Sequence, residues 1–233
     1  MNYYKLIIII FLLSRTLGFA QNSELGLIGG TSYYLGELNP AIQLANKVKP
    51  TVGIYYRKNT NTRYALRFGA SYAKLASSDQ FSSTELSQYR QLSFATDLWE
   101  AYGVLEFNFL PYQISNYRTS SFTPYVFIGA AVFSVNPNVV SNGMPAAATK
   151  GMIITPSMPF GLGFKFNFLK NIGLGIEWGM RKTLTDQIDG LSETHLDGYQ
   201  LSNTQNKDWY SILGISLNYK FLTDDDRCRG VVN

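Results

Sequence analysis

A hydrolase working at a membrane surface needs a serine activated by a base, usually histidine. His195 is the only histidine in the 233 residues, with Ser192, Glu193 and Thr194 beside it. A lone loop histidine next to a serine is a weak match to that chemistry, and it predicts no enzyme. Asp186 and Asp189 lie in the same polar stretch. Calcium needs several oxygen ligands at tight spacing, usually with a glycine-pinned turn, and Asp189-Gly190 alone does not supply them; a solvated turn is expected. The pair Gly29-Gly30 has no helix after it to present an N-terminus to phosphate, so relief of crowding in a narrow interior accounts for it. No catalytic, cofactor-binding or metal-binding residue is therefore expected, and no cofactor. The single cysteine, Cys228, excludes an intrachain disulfide and leaves a thiol able to bridge to another chain.

More informative are the charges that interrupt apolar alternation. Phe160, Leu162, Phe164, Phe166 and Phe168 alternate with Gly161, Gly163, Lys165 and Asn167; Ile172, Leu174, Ile176, Trp178 and Met180 alternate with Gly173, Gly175, Glu177, Gly179 and Arg181. With only Lys170-Asn171 between them, these read as a β-hairpin with one apolar face and one face of glycines and charges. Val52, Ile54 and Tyr56 oppose Gly53, Tyr55 and Arg57, and Tyr64, Leu66, Phe68, Ala70 and Tyr72 oppose Arg63, Arg67, Gly69 and Ser71. Trp99, Leu105, Phe107 and Phe109 oppose Glu100, Tyr102, Glu106 and Asn108, while Leu213, Ile215, Leu217, Tyr219 and Phe221 oppose Gly214, Ser216, Asn218 and Lys220. A first strand, about 24–35, is too glycine-rich to orient, and a fifth, 124–135, is apolar on both sides.

These elements point to one fold. Lys5, the apolar run Leu6 to Leu13 and the small residues before Gln21 form a signal peptide, residues 1–20, with cleavage after Ala20. Removing Lys5 and Arg15 lowers the formal charge from +4 to +2, too little and too scattered for a nucleic-acid surface. Charged residues make up only 15% of the chain and aromatic residues equally 15%, against roughly 25% charged in an average soluble protein. No later stretch reaches the roughly 18 apolar residues of a spanning helix, so a membrane form must be a closed barrel that satisfies its own backbone. The fold class expected is all-β: an eight-stranded antiparallel outer-membrane barrel over residues 21–222, with a periplasmic tail at 223–233.

Connection lengths agree. Those at about 36–50, 75–96, 136–156 and 185–208 are long, and those at about 58–61, 111–122 and 170–171 are shorter. This is the rhythm of an even-stranded barrel with both termini in the periplasm. Eight strands leave an interior that side chains fill. The inward charges Arg57, Arg63, Arg67, Lys165, Arg181 and Lys220 against Glu100, Glu106 and Glu177 are expected to pair into a plug, since buried charges need partners. Pro111, Tyr112 and the tail residues Asp224, Asp225, Asp226 and Cys228 are the candidates for contact with a periplasmic partner; for the tail a flexible, solvated end is the default reading and a docking peptide the alternative.

Several segments resemble PorG-like barrels, the outer-membrane component of the type IX secretion system. They are Glu24 to Gly30 with Ser32 to Pro40, Glu106 to Tyr112, Thr123 to Phe127, Pro159 to Gly163, Gly173 to Thr183 and Asn206 to Ser211. The resemblance implies a non-enzymatic role, anchoring a periplasmic ring built from a lipoprotein and its partner to the outer membrane. It carries over no catalytic residue. Two other classes compete: an adhesin-like barrel acting through its long loops, such as Ser77 to Gln91, and a lipid-modifying enzyme, weakened by the single histidine.

Overall fold

The computed structural model describes residues 23–35, 48–78, 92–113, 122–136, 138–141, 144–145, 151–184, 195–196, 199–200 and 208–221. The expected signal peptide and C-terminal tail, with Asp224, Asp225, Asp226 and Cys228, lie outside them, as do Ser192 and both aspartates of the calcium reading.

Period-two alternation puts successive side chains on opposite faces, and eight long strands follow it: β1 (Ser23–Leu35), β2 (Lys49–Asn59), β3 (Tyr64–Ser78), β4 (Leu92–Asn108), β5 (Phe122–Val135), β6 (Ile153–Asn167), β7 (Ile172–Thr183) and β8 (Trp209–Phe221). Each pairs antiparallel with its sequence neighbour, and β8 returns to β1 from Ser23 opposite Phe221 to Leu35 opposite Trp209, closing the barrel. Following the register once around gives its stagger. From Ser23 it passes through Lys58, Leu66, Leu105, Ile128, Phe160, Met180 and Ser211, and re-enters β1 at Tyr33, ten residues further on. An eight-stranded barrel needs such a shear, with strands tilted roughly 35–45° to its axis.

The two rims differ. Both ends of the ring, Ser23 and Phe221, lie at the rim that carries the short turns. There Asn61 Oδ1 accepts from the backbone N–H groups of Arg63 and Tyr64, each at 2.8 Å, pinning the β2–β3 turn. The β6–β7 turn closes with Leu169 N–H donating to the Ile172 carbonyl at 2.9 Å. At the opposite, loop rim, β3 and β4 run further than alternation indicates, pairing up to Ser78 with Ser93. Polar residues on both faces erase the periodic signal there, but the ladder continues. The short strand Asn138–Ser141 pairs with β4 beside it.

The two unoriented strands are now placed. In β1, Glu24, Ile28, Ser32 and Tyr34 are buried, while Leu25 and Leu27 face out. In β5, Tyr125, Phe127, Ala131, Phe133 and Val135 point in, and Val126, Ile128 and Val132 point out. Gly26 is required by close approach: a Cβ there would collide with the inward Tyr55 ring and lie 2.5 Å from Asn218 Oδ1.

Candidate functional site

The filled lumen is the candidate site, and its centre of charge is Glu106 on β4. Arg57 on β2 sets its Nε 2.9 Å from Glu106 Oε2, Arg67 on β3 sets its Nε 2.8 Å from Oε1, and Lys165 on β6 donates from Nζ to Oε2 at 2.5 Å. Arg57 also donates from Nη1 to Glu24 Oε2 at 3.0 Å, and Arg67 pairs with Glu177 Oε2 at 2.5 Å. Three carboxylates thus balance three cations. Polar neighbours satisfy further lone pairs. Asn59 donates to Glu24 at 2.8 Å, Tyr125 donates to Glu177 at 2.7 Å, and Lys165 donates to Asn108 Oδ1 at 2.9 Å. The Arg67 guanidinium also lies about 5 Å from the ring centres of Tyr55 and Phe127, at 5.1 Å each, a distance at which cation–π attraction adds to the pairing.

Nearer the loop rim, a second neutral pair joins Arg181 Nε to Glu100 Oε1 at 3.4 Å. Ser71 and Tyr210 donate to the Glu100 carboxylate at 3.0 and 3.1 Å. Beyond it the interior turns apolar: Tyr34, Ala73, Leu75, Leu98, Phe133, Val135 and Ile212 form one buried cluster with Tyr210. Asp208, ahead of β8, accepts from the Tyr34 hydroxyl, and its carbonyl accepts from Thr183 Oγ1 at 2.7 Å. At the turn rim, the β4–β5 connection folds inward. Tyr112 N–H donates to the Thr62 carbonyl at 2.9 Å, Asn167 donates to the Gln113 carbonyl at 3.2 Å, and the Tyr112 side chain is buried in the mouth.

Of the lumen residues anticipated from sequence, Arg57, Arg67, Glu106, Lys165 and Glu177 meet in one network, and Glu100 and Arg181 form the separate pair. Lys220 faces inward but makes no ion pair among the described residues; its Nζ donates to the Leu169 carbonyl at 3.2 Å. Arg63 is a correction. It stands in the turn ahead of β3, where alternation does not apply, and its guanidinium caps the Asn108 and Phe109 carbonyls at the rim. Tyr112 is a second: Pro111 is exposed, but Tyr112 is buried and offers a partner no surface. Glu24 was missed because the glycines of β1 hide which face it occupies. Among the described residues no group of three or more histidine, cysteine, aspartate or glutamate side chains is arranged to hold a metal ion. His195 takes part in a short ladder, opposite Gln200.

The outer wall reverses the interior. Leu27, Val52, Phe68, Ile128, Ile215 and Leu217 are all more than half exposed on a surface that water would not tolerate. Aromatics border this belt: Tyr64, Phe107, Phe109, Tyr219 and Phe221 towards the turn rim, Tyr72, Trp99 and Trp209 towards the loop rim. Trp209 and Tyr219 are ten residues apart on β8, which at about 3.3 Å per residue and a tilt of 35–45° is roughly 25 Å along the axis. That is the height of the lipid-facing band of a membrane barrel.

A family model described as a domain of unknown function, DUF6089, matches residues 3–229. The chain belongs to the DUF6089 family. No curated protein matches it. Among solved structures, the DUF6089 barrel is similar to Ail, the attachment invasion locus protein of Yersinia pestis (12% identity, 85% of this chain and 99% of that one, TM-score 0.42). It is also similar to Neisserial surface protein A (11%, 86% and 98%, 0.44) and to a major outer membrane protein from Thermus thermophilus (8%, 85% and 99%, 0.46).

Proposed function

We propose that this DUF6089 barrel is a non-conducting outer-membrane anchor for the periplasmic ring of a type IX secretion system. The observation that carries the reading is the sealed interior: a polar mouth closed by Tyr112, a neutral network around Glu106, the Glu100–Arg181 pair and an apolar cluster, in series. A barrel through which nothing passes acts at its ends. The segments that resemble PorG-like barrels supply the identity of the machine, and that resemblance makes the ring's lipoprotein and its partner the binding partners. In this reading the turn rim and both termini face the periplasm, and the β4–β5 connection with the tail forms the docking side.

Affinity purification from solubilised outer membranes, followed by mass spectrometry, is expected to recover the ring proteins. Deleting the gene is expected to stop secretion of exoproteins that carry the secretion signal, and replacing residues 113–121 or 223–233 to reproduce that loss while exchange of the loop-rim connections leaves secretion intact. Normal secretion in the deletion strain would refute the anchor role.

A further inference from the structure

The lipid-facing wall is notched at Gly29. Alternation along β1 points Gly29 outward with Leu25 and Leu27, and a Cβ there would meet nothing within 4 Å. Gly103, an outward glycine of β4, makes the contrast: the Phe68 ring roofs it, 3.1 Å from where its Cβ would stand. At Gly29 no neighbour leans across. The gap opens a cavity of about 410 Å³, whose outward side chains are Leu27, Val52, Leu174, Ile215 and Leu217. Leu27, Val52, Ile215 and Leu217 are each more than half exposed, so the chain itself leaves the gap open. Gly29 stands opposite Ile215, midway down β8, which puts the notch at the middle of the lipid-facing band. From there the cavity runs one way. Leu27 lies on the turn-rim side of Gly29, Leu217 on the turn-rim side of Ile215, and Leu174 stands opposite Leu217 on β7. The slot therefore slants from mid-depth towards the turn rim, where Leu174 leads through Ile172 to Lys170, exposed in the β6–β7 turn.

We propose that this slot holds one acyl chain of an anionic phospholipid from the leaflet at the turn rim, with its phosphate on Lys170. Hydrocarbon is the solvent at that depth, and every side chain that faces into the slot from outside is apolar. A chain lying in it touches the wall on its flanks as well as beneath, and gains more dispersion contacts than on a flat wall. The span from rim to notch is half of a hydrocarbon core roughly 30 Å thick, which one chain covers. A cation at the end of the slot selects an anionic headgroup. A second copy of this chain does not fit: two convex walls meet along a line, short of the roughly 1,200–2,000 Å² that a stable interface buries, and neither enters a slot one strand wide. The choice of a phospholipid rests on the reading that the turn rim faces the periplasm; nothing else here depends on the ring.

The test refolds the full chain in detergent micelles, adds phosphatidylglycerol and counts bound lipids by native mass spectrometry. One retained lipid is expected, with occupancy about tenfold lower in Gly29→Phe, whose ring takes the place of the chain's contacts, and unchanged in Ile128→Phe on the opposite wall. The intact protein is expected to prefer phosphatidylglycerol to phosphatidylcholine of the same chain length, and Lys170→Glu to lose that preference. Heat-modifiable migration in gels reports whether each variant is folded, and Gly29→Leu decides if Gly29→Phe is not. Equal retention by the folded Gly29 variant, equal retention of the two phospholipids by the intact protein, a preference that survives Lys170→Glu, a preference for lipid A, or a lipid-free dimer would each overturn the proposal. Secretion does not enter this readout, so the slot and the anchor role fail separately.

Discussion

At the scale of single residues, Glu106 is the point on which the interior depends. It is fully buried between Arg57, Arg67 and Lys165, and each of those cations has lost its water. Removing one partner of a buried ion pair leaves uncompensated charge and costs about 3–5 kcal/mol, more than the pair itself contributes over an apolar replacement. Glu106→Gln is therefore expected to lower stability by at least that range, read as an earlier midpoint of urea unfolding in lipid vesicles. Arg63→Ala serves as the contrast. Its guanidinium caps two carbonyls at the rim, within reach of solvent, and the expected loss is about 1 kcal/mol. Equal losses for the two variants would mean that the lumen is hydrated and that Glu106 is no hub.

At the scale of elements, the wall was legible in the sequence wherever one face of a strand is apolar and the other is not. β2, β3, β4, β6, β7 and β8 all face as their alternation indicates, down to Arg67 inward and Phe68 outward. β5 gave no orientation because its outer half meets the apolar end of the lumen, where Phe133 and Val135 face Leu98 and Ile212. β1 failed for a different reason. Gly26 and Gly30 remove the side chains that would mark a face, and Glu24 was lost with them. The buried Tyr112 was not legible either, because turns carry no period from which an inward side chain could be read. The belt itself makes a graded test. Ile215 lies midway between Trp209 and Phe221 on β8 and is 63% exposed, whereas Tyr219 sits in the aromatic border. Ile215→Arg is expected to cost about 2–4 kcal/mol of stability in a bilayer and Tyr219→Arg about 0–1. Vesicle unfolding titrations check it, and the reverse order would displace the membrane along the barrel.

At the scale of the whole molecule, the seals act in series, and that decides what an opened barrel would do. An ion entering past Tyr112 meets the Glu106 network, whose groups are already paired, so passage requires breaking contacts as short as 2.5 Å and supplying hydration in a lumen packed with Tyr55, Tyr125 and Phe127. It next meets Glu100 and Arg181, and then the cluster of Leu75, Leu98, Phe133 and Val135, where a bare ion has no partner at all. Removing any one seal leaves the others standing. Tyr112→Ala is accordingly expected to leave planar-bilayer conductance at the baseline of the intact protein. Lumen side chains lock one another rather than hinge, because each arginine bridges two strands of a ring with no free seam. Steady conductance in the intact protein would break the argument at its root, since a barrel that conducts has work to do through its middle and gives no reason to look for function at its ends.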